Sequence, residues 1–329
     1  SISLSLVSPA AEKLWESCYE NCLQFLNAFP QHELAPFVWR YLASSSAEIA
    51  SIKPEHKVKL LSDLELFLKL PLPEIEKNEW QLLLAKTFYE MHQYEQAMLS
   101  LQNQQSANAT LLLSLCLRDQ NKDMARFCEL AEEALSKGTT LVDLGQIHAS
   151  LYNAYLELSQ RDQAAKHLYE AFLAKAEIKT ENLLWLADYY FNLVKESEGN
   201  FALAARAAAL FEHCKAALHG DANLYKLSKL YLILGRTDDA IALLQALPSP
   251  SHEASLLLAQ SLVKKGLIEQ ATELFDSIVV SCGTGRSPTG AAAALQGARL
   301  KLAQAHPDFM GIAAQLKNLV MQKNFEGGP

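Results

Sequence analysis

The sequence predicts an all-α fold, and three observations carry that reading. Proline punctuates the first 73 residues and is then absent until Pro248. A proline inside a helix costs about 3 kcal/mol, so a gap of that length reads as helix after helix. Leu, Ala, Glu, Gln and Lys dominate, whereas period-2 runs of Val, Ile and Thr are scarce, Ile2–Val7 excepted. Short polar links such as His92-Gln93, Gln160-Arg161-Asp162 and Gly235-Arg236-Thr237-Asp238 separate the apolar stretches. Links that short fold neighbouring helices into antiparallel hairpins.

In chain order, three helices come first, near 9–29, 34–50 and 54–70. Pro9 and Pro54 suit a first helical turn, where the missing N–H has no partner to lose. Pro71-Leu72-Pro73 then breaks the chain. Hairpins follow, and they repeat. One copy is Leu84-Ala85, Phe88, Ala97 and Leu101; a second is Leu151-Tyr152, Tyr155, Ala164, Leu168 and Ala171. A third is Leu227-Ser228, Tyr231, Gly235, Ala240 and Leu244; a fourth is Leu258-Ala259, Leu262, Gly266, Ala271, Phe275 and Ile278. In all four, twelve positions separate the residue after the Leu from the later Ala, and a large apolar residue follows four further on.

Two looser copies fill the gaps. One holds Leu112-Leu113, Cys116 and Ala125, with Glu129 where an apolar residue belongs, so its second helix alternatively uses Phe127, Leu130, Ala131 and Ala134. The other holds Leu186-Ala187, Tyr190, Ala207, Phe211 and Cys214, with eight extra residues around Lys195–Ala202.

These markers resemble the tetratricopeptide repeat (TPR) family, a helix–turn–helix unit of 34 residues, over about residues 78–281. Small residues let the paired helices approach, an aromatic fills the groove between them, and a Gly or polar turn reverses the chain. The resemblance implies a right-handed α-solenoid of antiparallel helix pairs. Its expected organisation is an N-terminal helical extension (1–72), a repeat array (73–282), a flexible loop (283–290), and capping helices with a frayed tail (291–329).

Composition narrows the function. Half of the 329 residues are hydrophobic, too many for a disordered chain, and 13 glycines with 11 prolines exclude a collagen-like one. A formal charge of −8 argues against a basic footprint for nucleic acid or an anionic membrane. No apolar run approaches the ~20 residues of a membrane-spanning helix. Cys18, Cys22, Cys116, Cys128, Cys214 and Cys282 read as small core residues, Cys22, Cys116 and Cys128 lying beside Leu or Phe, with a Cys116–Cys128 disulfide left open across a hairpin. Unpaired thiols lean weakly towards a cytoplasmic setting, and a removed leader or membrane anchor ahead of Ser1 stays open.

The sequence predicts no catalytic residue, no metal and no cofactor. Gly283–Gly290 lacks the Gly-Lys-Ser/Thr ending of a phosphate loop, and His252-Glu253 has no second His of a zinc helix. Asp238-Asp239 suits the positive end of a helix dipole. Trp15, Trp39, Trp80 and Trp185 read as packing residues, the first two pinning the N-terminal helices to the first hairpin.

What remains is a groove, because first helices of stacked hairpins line a concave surface. Aligning the copies points to Lys86, Tyr89, Asn153, Asp188, Tyr225, Lys229, Gln260 and Lys264 as residues free to meet a partner. Amides, tyrosines and lysines there suit an extended peptide or a partner's carboxylates. Family members that clamp a terminal carboxylate set Lys and Asn on adjacent first helices; Lys86, Asn153 and Lys229 are not so spaced, and that ligand is not expected. The expected function is a protein-interaction scaffold binding a protein or peptide. A structural subunit using the convex face or N-terminal helices is the alternative, and an all-α enzyme the outsider.

Overall fold

The computed structural model of the chain describes residues 9–197, 199–215, 221–282, 287–303 and 307–320. Among them every regular element is helical. Ile2–Val7 and the tail Gly327–Pro329 lie outside the described residues.

Packing divides the chain into two units, residues 1–176 and 177–329. In the first unit, α1 (Pro9–Ala28) pairs with α2 (Ala35–Ile52), a 3₁₀ turn at Pro54–His56 leads into α3 (Lys57–Phe67), and α4 (Glu74–Glu90) follows the double proline. Leu60, Leu64 and Phe67 of α3 share one core with Leu84, Phe88 and Ala97, so the core runs straight past Pro71–Pro73. Trp39 packs against this core and against the α1–α2 core of Tyr19, Leu26 and Leu42, whereas Trp15 joins only the latter. Trp80 meets Phe67 edge-on at 5.2 Å.

Three hairpins complete this unit: α4 with α5 (Tyr94–Ser100), α6 (Ala107–Asp119) with α7 (Met124–Ser136), and α8 (Leu144–Glu157) with α9 (Arg161–Leu173). The second unit continues with α10 (Thr180–Glu196) and α11 (Phe201–His213), α12 (Asp221–Ile233) and α13 (Thr237–Gln245), and α14 (His252–Lys264) and α15 (Ile268–Cys282). Then come α16 (Pro288–Leu302), packed on α15, and α17 (Phe309–Val320), packed on α16, with Ile312 buried and Leu316 against the α14–α16 core. Within each unit the hairpins stack in chain order, the solenoid arrangement the repeat requires.

The repeat markers are buried. Ala97, Ala164, Ala240 and Ala271 have no exposed surface, Phe88, Tyr155, Tyr231 and Leu262 on the partner helices are buried too, and Phe88 shares a core with Ala97 as Leu262 does with Ala271. With no side chain beyond Cβ, the alanines let the second helix settle onto the first. In the α6–α7 hairpin Ala125 is exposed and Phe127 takes the inner position. Asp123 caps α7 through the Arg126 amide at 2.9 Å and starts the helix late, shifting the register. The eight extra residues of α10–α11 extend the end of α10 and the start of α11, leaving a turn nearly as short as the others.

Each hairpin turn holds one residue in the left-handed region: His92, Asn121 and Ser159 in the first unit, Gly199, Gly235 and Gly266 in the second. At His92, Ser159, Gly235 and Gly266 the following amide bonds the marker carbonyl five residues back, as in Gln160 to Tyr155 at 2.8 Å and Arg236 to Tyr231 at 2.8 Å. That bond satisfies carbonyls the helix end leaves open.

Two readings of the sequence meet the structure at the cysteines and at residues 283–290. All six cysteines are free thiols, so no Cys116–Cys128 disulfide forms, and burial pushes the Cys116 thiol up to about 12 and Cys128 to about 11. Part of the expected 283–290 loop, residues 283–286, lies outside the described residues; the remainder is the start of α16, capped by Ser287 on the Gly290 amide at 3.0 Å.

Candidate partner-binding face

The eight sequence candidates all sit on first helices, but they are not equally free. In the first unit Lys86 is exposed and 3.9 Å from Glu90, one turn on along α4. Asn153 is exposed on α8. Tyr89 is committed elsewhere: its hydroxyl donates to Asp119 of α6 at 2.6 Å, and Arg118 reaches the same hydroxyl at 3.5 Å while bonding Ser150 of α8 at 3.0 Å. Burial and the neighbouring Asp119 push the Tyr89 phenol well above its ordinary value. Arg118 thereby ties three successive first helices, a role for which the repeat pattern carries no marker.

In the second unit Asp188 of α10 holds Lys226 of α12 at 2.7 Å, and Gln260 of α14 donates to Gln296 of α16 at 3.2 Å. Lys229 lies over the Tyr225 ring, 4.7 Å from its centre. Lys264 is exposed and makes no side-chain bond or ion pair among the described residues. Tyr89, Asp188 and Gln260 thus brace neighbouring first helices, while Lys86, Asn153 and Lys264 face solvent and Tyr225 and Lys229 meet each other. The repeat register puts the candidates on first helices but carries no sign of these braces, because the offset between successive hairpins is tertiary.

Among the described residues, clefts open on these helices at two places. The first, about 280 Å³, lies between α2, α3 and α4, with Ala50, Leu60 and Leu83 at its base and Lys57, Lys86 and Glu90 at its rim. Glu90 accepts from Lys57 at 2.7 Å and sits 3.9 Å from Lys86, so one carboxylate stands between two cations. The second, about 200 Å³, lies between α14, α15 and α16.

A buried polar network links α7, α8 and α9. His167 is almost wholly buried, its Nε2 2.9 Å from Glu132 and its Nδ1 2.9 Å from Nδ1 of His148, with the Tyr155 ring stacked on it at 5.4 Å. An ionised Glu132 accepts, so His167 donates from Nε2 and its Nδ1 accepts from the Nδ1–H of His148. The Tyr155 hydroxyl also serves Glu132. Burial holds both imidazoles below their ordinary value; the adjacent Glu132 partly offsets this for His167, and His167 adds to it for His148. Among the described residues no group of three or more His, Cys, Asp or Glu is placed to hold a metal ion. No described helix is long and apolar enough to cross a membrane.

No family model matches the chain, and no curated protein sequence matches it. Solved structures similar to it include the C-terminal part of a TPR repeat-containing protein from Cytophaga hutchinsonii, at 15% identity over 73% of this chain and 94% of that one, TM-score 0.38. A TPR protein from Thermus thermophilus is similar at 16% identity over 60% of this chain and 100% of that one, TM-score 0.31. Yeast Tom70 is similar at 14% identity over 94% of this chain and 64% of that one, TM-score 0.35. The buried markers, the hairpin register and the left-handed turns make the fold tetratricopeptide-like on the strength of its own packing.

Proposed function

We propose that the chain is a protein-interaction scaffold that holds a protein or peptide partner against its first helices, in the groove such stacking generates, without making or breaking bonds. The observation that supports this is the division of labour on those helices. The repeat markers are spent on packing, and polar side chains are left to solvent: Lys86 and Asn153 in one unit, Lys264 in the other. A surface of that kind suits hydrogen bonding to an extended backbone.

Charge reversal tests it. Lys86→Glu and Lys229→Glu, each on the full chain, are expected to remove one set of partners from affinity purification read by mass spectrometry while leaving the circular dichroism unchanged. An identical partner profile from wild type and both variants would move the interface off this face.

A second reading, a structural subunit docking through its N-terminal helices, is favoured by one observation. Phe37 and Tyr41 lie on one face of α2 and are 55% and 65% exposed. Under that reading the Phe37→Glu, Tyr41→Glu double variant lowers the mass of an assembly measured by light scattering; under the first it does not.

A further inference from the structure

The α14–α16 cleft differs from its counterpart in charge. Val263, Phe275 and Leu300 give it an apolar floor, and Gln260, Gln296 and Arg299 line its mouth; no carboxylate takes part. The whole of α16 lacks an acidic residue, and the one acid of α14, Glu253, is in its first turn, away from Gln260. Lys226, Arg236, Lys265 and Lys301 of this unit each meet a carboxylate. Arg299 and Lys264 meet none among the described residues, and both are exposed. Lys264 stands one turn beyond Gln260 on the same face of α14.

Size restricts the guest. At about 200 Å³ the cleft admits one large side chain, whereas pockets for cofactor-sized ligands run to roughly 300–1,000 Å³. Its depth depends on Gly297: a Cβ there would lie 3.1 Å from Cβ of Phe275, so the glycine lets α16 close on the floor. The Gln260–Gln296 bond at 3.2 Å uses one donor and one acceptor of the two amides and leaves the others for a ligand. A peptide group has that complement of N–H and C=O.

From this we infer that the α14–α16 cleft binds an acidic peptide segment of the partner. One apolar side chain sits on the Phe275 floor, its backbone bonds the Gln260–Gln296 pair, and a neighbouring carboxylate takes the Arg299 fork, with Lys264 adding charge. The inference rests on the first-helix face being the partner-binding surface, and it adds the partner's chemistry and the place where it docks. A guanidinium facing a carboxylate gives two parallel charge-assisted hydrogen bonds, which an oligonucleotide phosphate also offers; the one-side-chain cleft beside it favours the peptide.

The test uses the full chain and fluorescein-labelled heptapeptides with a central Leu flanked by Asp and Glu, read by anisotropy. A matched set carries Asn and Gln instead. The acidic set is expected to bind and the neutral set to bind at least about tenfold more weakly, with Arg299→Glu weakening the acidic set by about tenfold or more and Arg299→Lys by less. Equal binding of the two sets, no binding at about millimolar peptide, indifference to Arg299→Glu, or tighter binding of a labelled oligothymidylate would each overturn the inference. Circular dichroism of the variants separates lost binding from lost fold. If these peptides fail while Lys86→Glu still strips partners in affinity purification, the scaffold reading stands and this site falls.

Discussion

The two units settle their polar groups differently. In the first, Glu90 stands between Lys57 and Lys86 at the mouth of the α2–α4 cleft, and a buried chain of Glu132, His167 and His148 ties α7, α8 and α9. Its three hairpin turns place His92, Asn121 and Ser159 in the left-handed region. In the second, the α14–α16 cleft has a cation without a carboxylate, and the corresponding turns use Gly199, Gly235 and Gly266. One repeat pattern therefore supports both a self-satisfied cleft and one with unmet charge. Counting lysines on first helices does not separate them, because what a partner feels is the charge left over after the protein's own pairs are made.

The largest effect expected from this contrast lies in the histidine network. Glu132→Ala leaves the Nε2–H of a buried His167 and the Tyr155 hydroxyl without their acceptor, at a cost of about 1–3 kcal/mol. Thermal unfolding followed by circular dichroism at pH 7.5 measures it. The same network sets a pH dependence. Both imidazoles are held below 6.5 in the folded chain, with burial the main cause. The unfolded chain therefore binds more protons as pH falls through that value, and stability is lost from about pH 6.5 downwards. His148→Asn with His167→Asn is expected to flatten the decline without abolishing it, since burial depresses His56 as well. An unchanged slope would mean the pair does not titrate on unfolding.

How much of this was legible follows from where each signal resides. Ala97, Ala164, Ala240 and Ala271 were readable because helix pairing needs a small residue at a fixed distance from its partner marker, and that distance is a sequence spacing. Ala125 yields to the alternative register of Phe127, Leu130, Ala131 and Ala134, all buried, because the Asp123 cap starts α7 late, a local detail that periodicity does not carry. Glu132, His148 and His167 come from three different helices, so no spacing connects them. Tyr89, Asp188 and Gln260 looked free because the residues that hold them, Asp119, Lys226 and Gln296, belong to the next first helix. Arg299 and Gln296 were missed because α16, rich in Ala and Gly, carries no repeat marker; its lack of any acid was the one available signal.

A smaller effect sharpens the contrast between the clefts. Glu90→Gln frees Lys57 and Lys86 at once, and as a half-exposed pair their loss costs less than about 1 kcal/mol of stability. The acidic heptapeptides are then expected to gain affinity for the full chain by up to about tenfold in an Arg299→Glu background, where the other cleft is silent. No gain would mean that an unpaired cation beside an apolar floor is not sufficient, and that the Gln260–Gln296 amides supply what the first cleft lacks.

The smallest effect concerns the turns. Ser159 has φ of 59°, where its Cβ crowds the backbone, whereas Gly235 makes the equivalent turn at φ of 75° with no side chain to clash. The Gln160 to Tyr155 bond closes the turn in either case, so the fold tolerates the serine without requiring it. Replacing Ser159 by Gly removes the clash but frees the unfolded chain, and the two oppose each other. At a helix C-terminus the first prevails, so Ser159→Gly is expected to raise stability by up to about 1 kcal/mol in urea unfolding. Gly235→Ala should lose a similar amount, with no neighbouring atom within 4 Å of the added Cβ to add a packing cost. Opposite signs of similar size would place the difference between the two sets of turns in the backbone alone; a destabilised Ser159→Gly would show that the serine side chain contributes something beyond its φ.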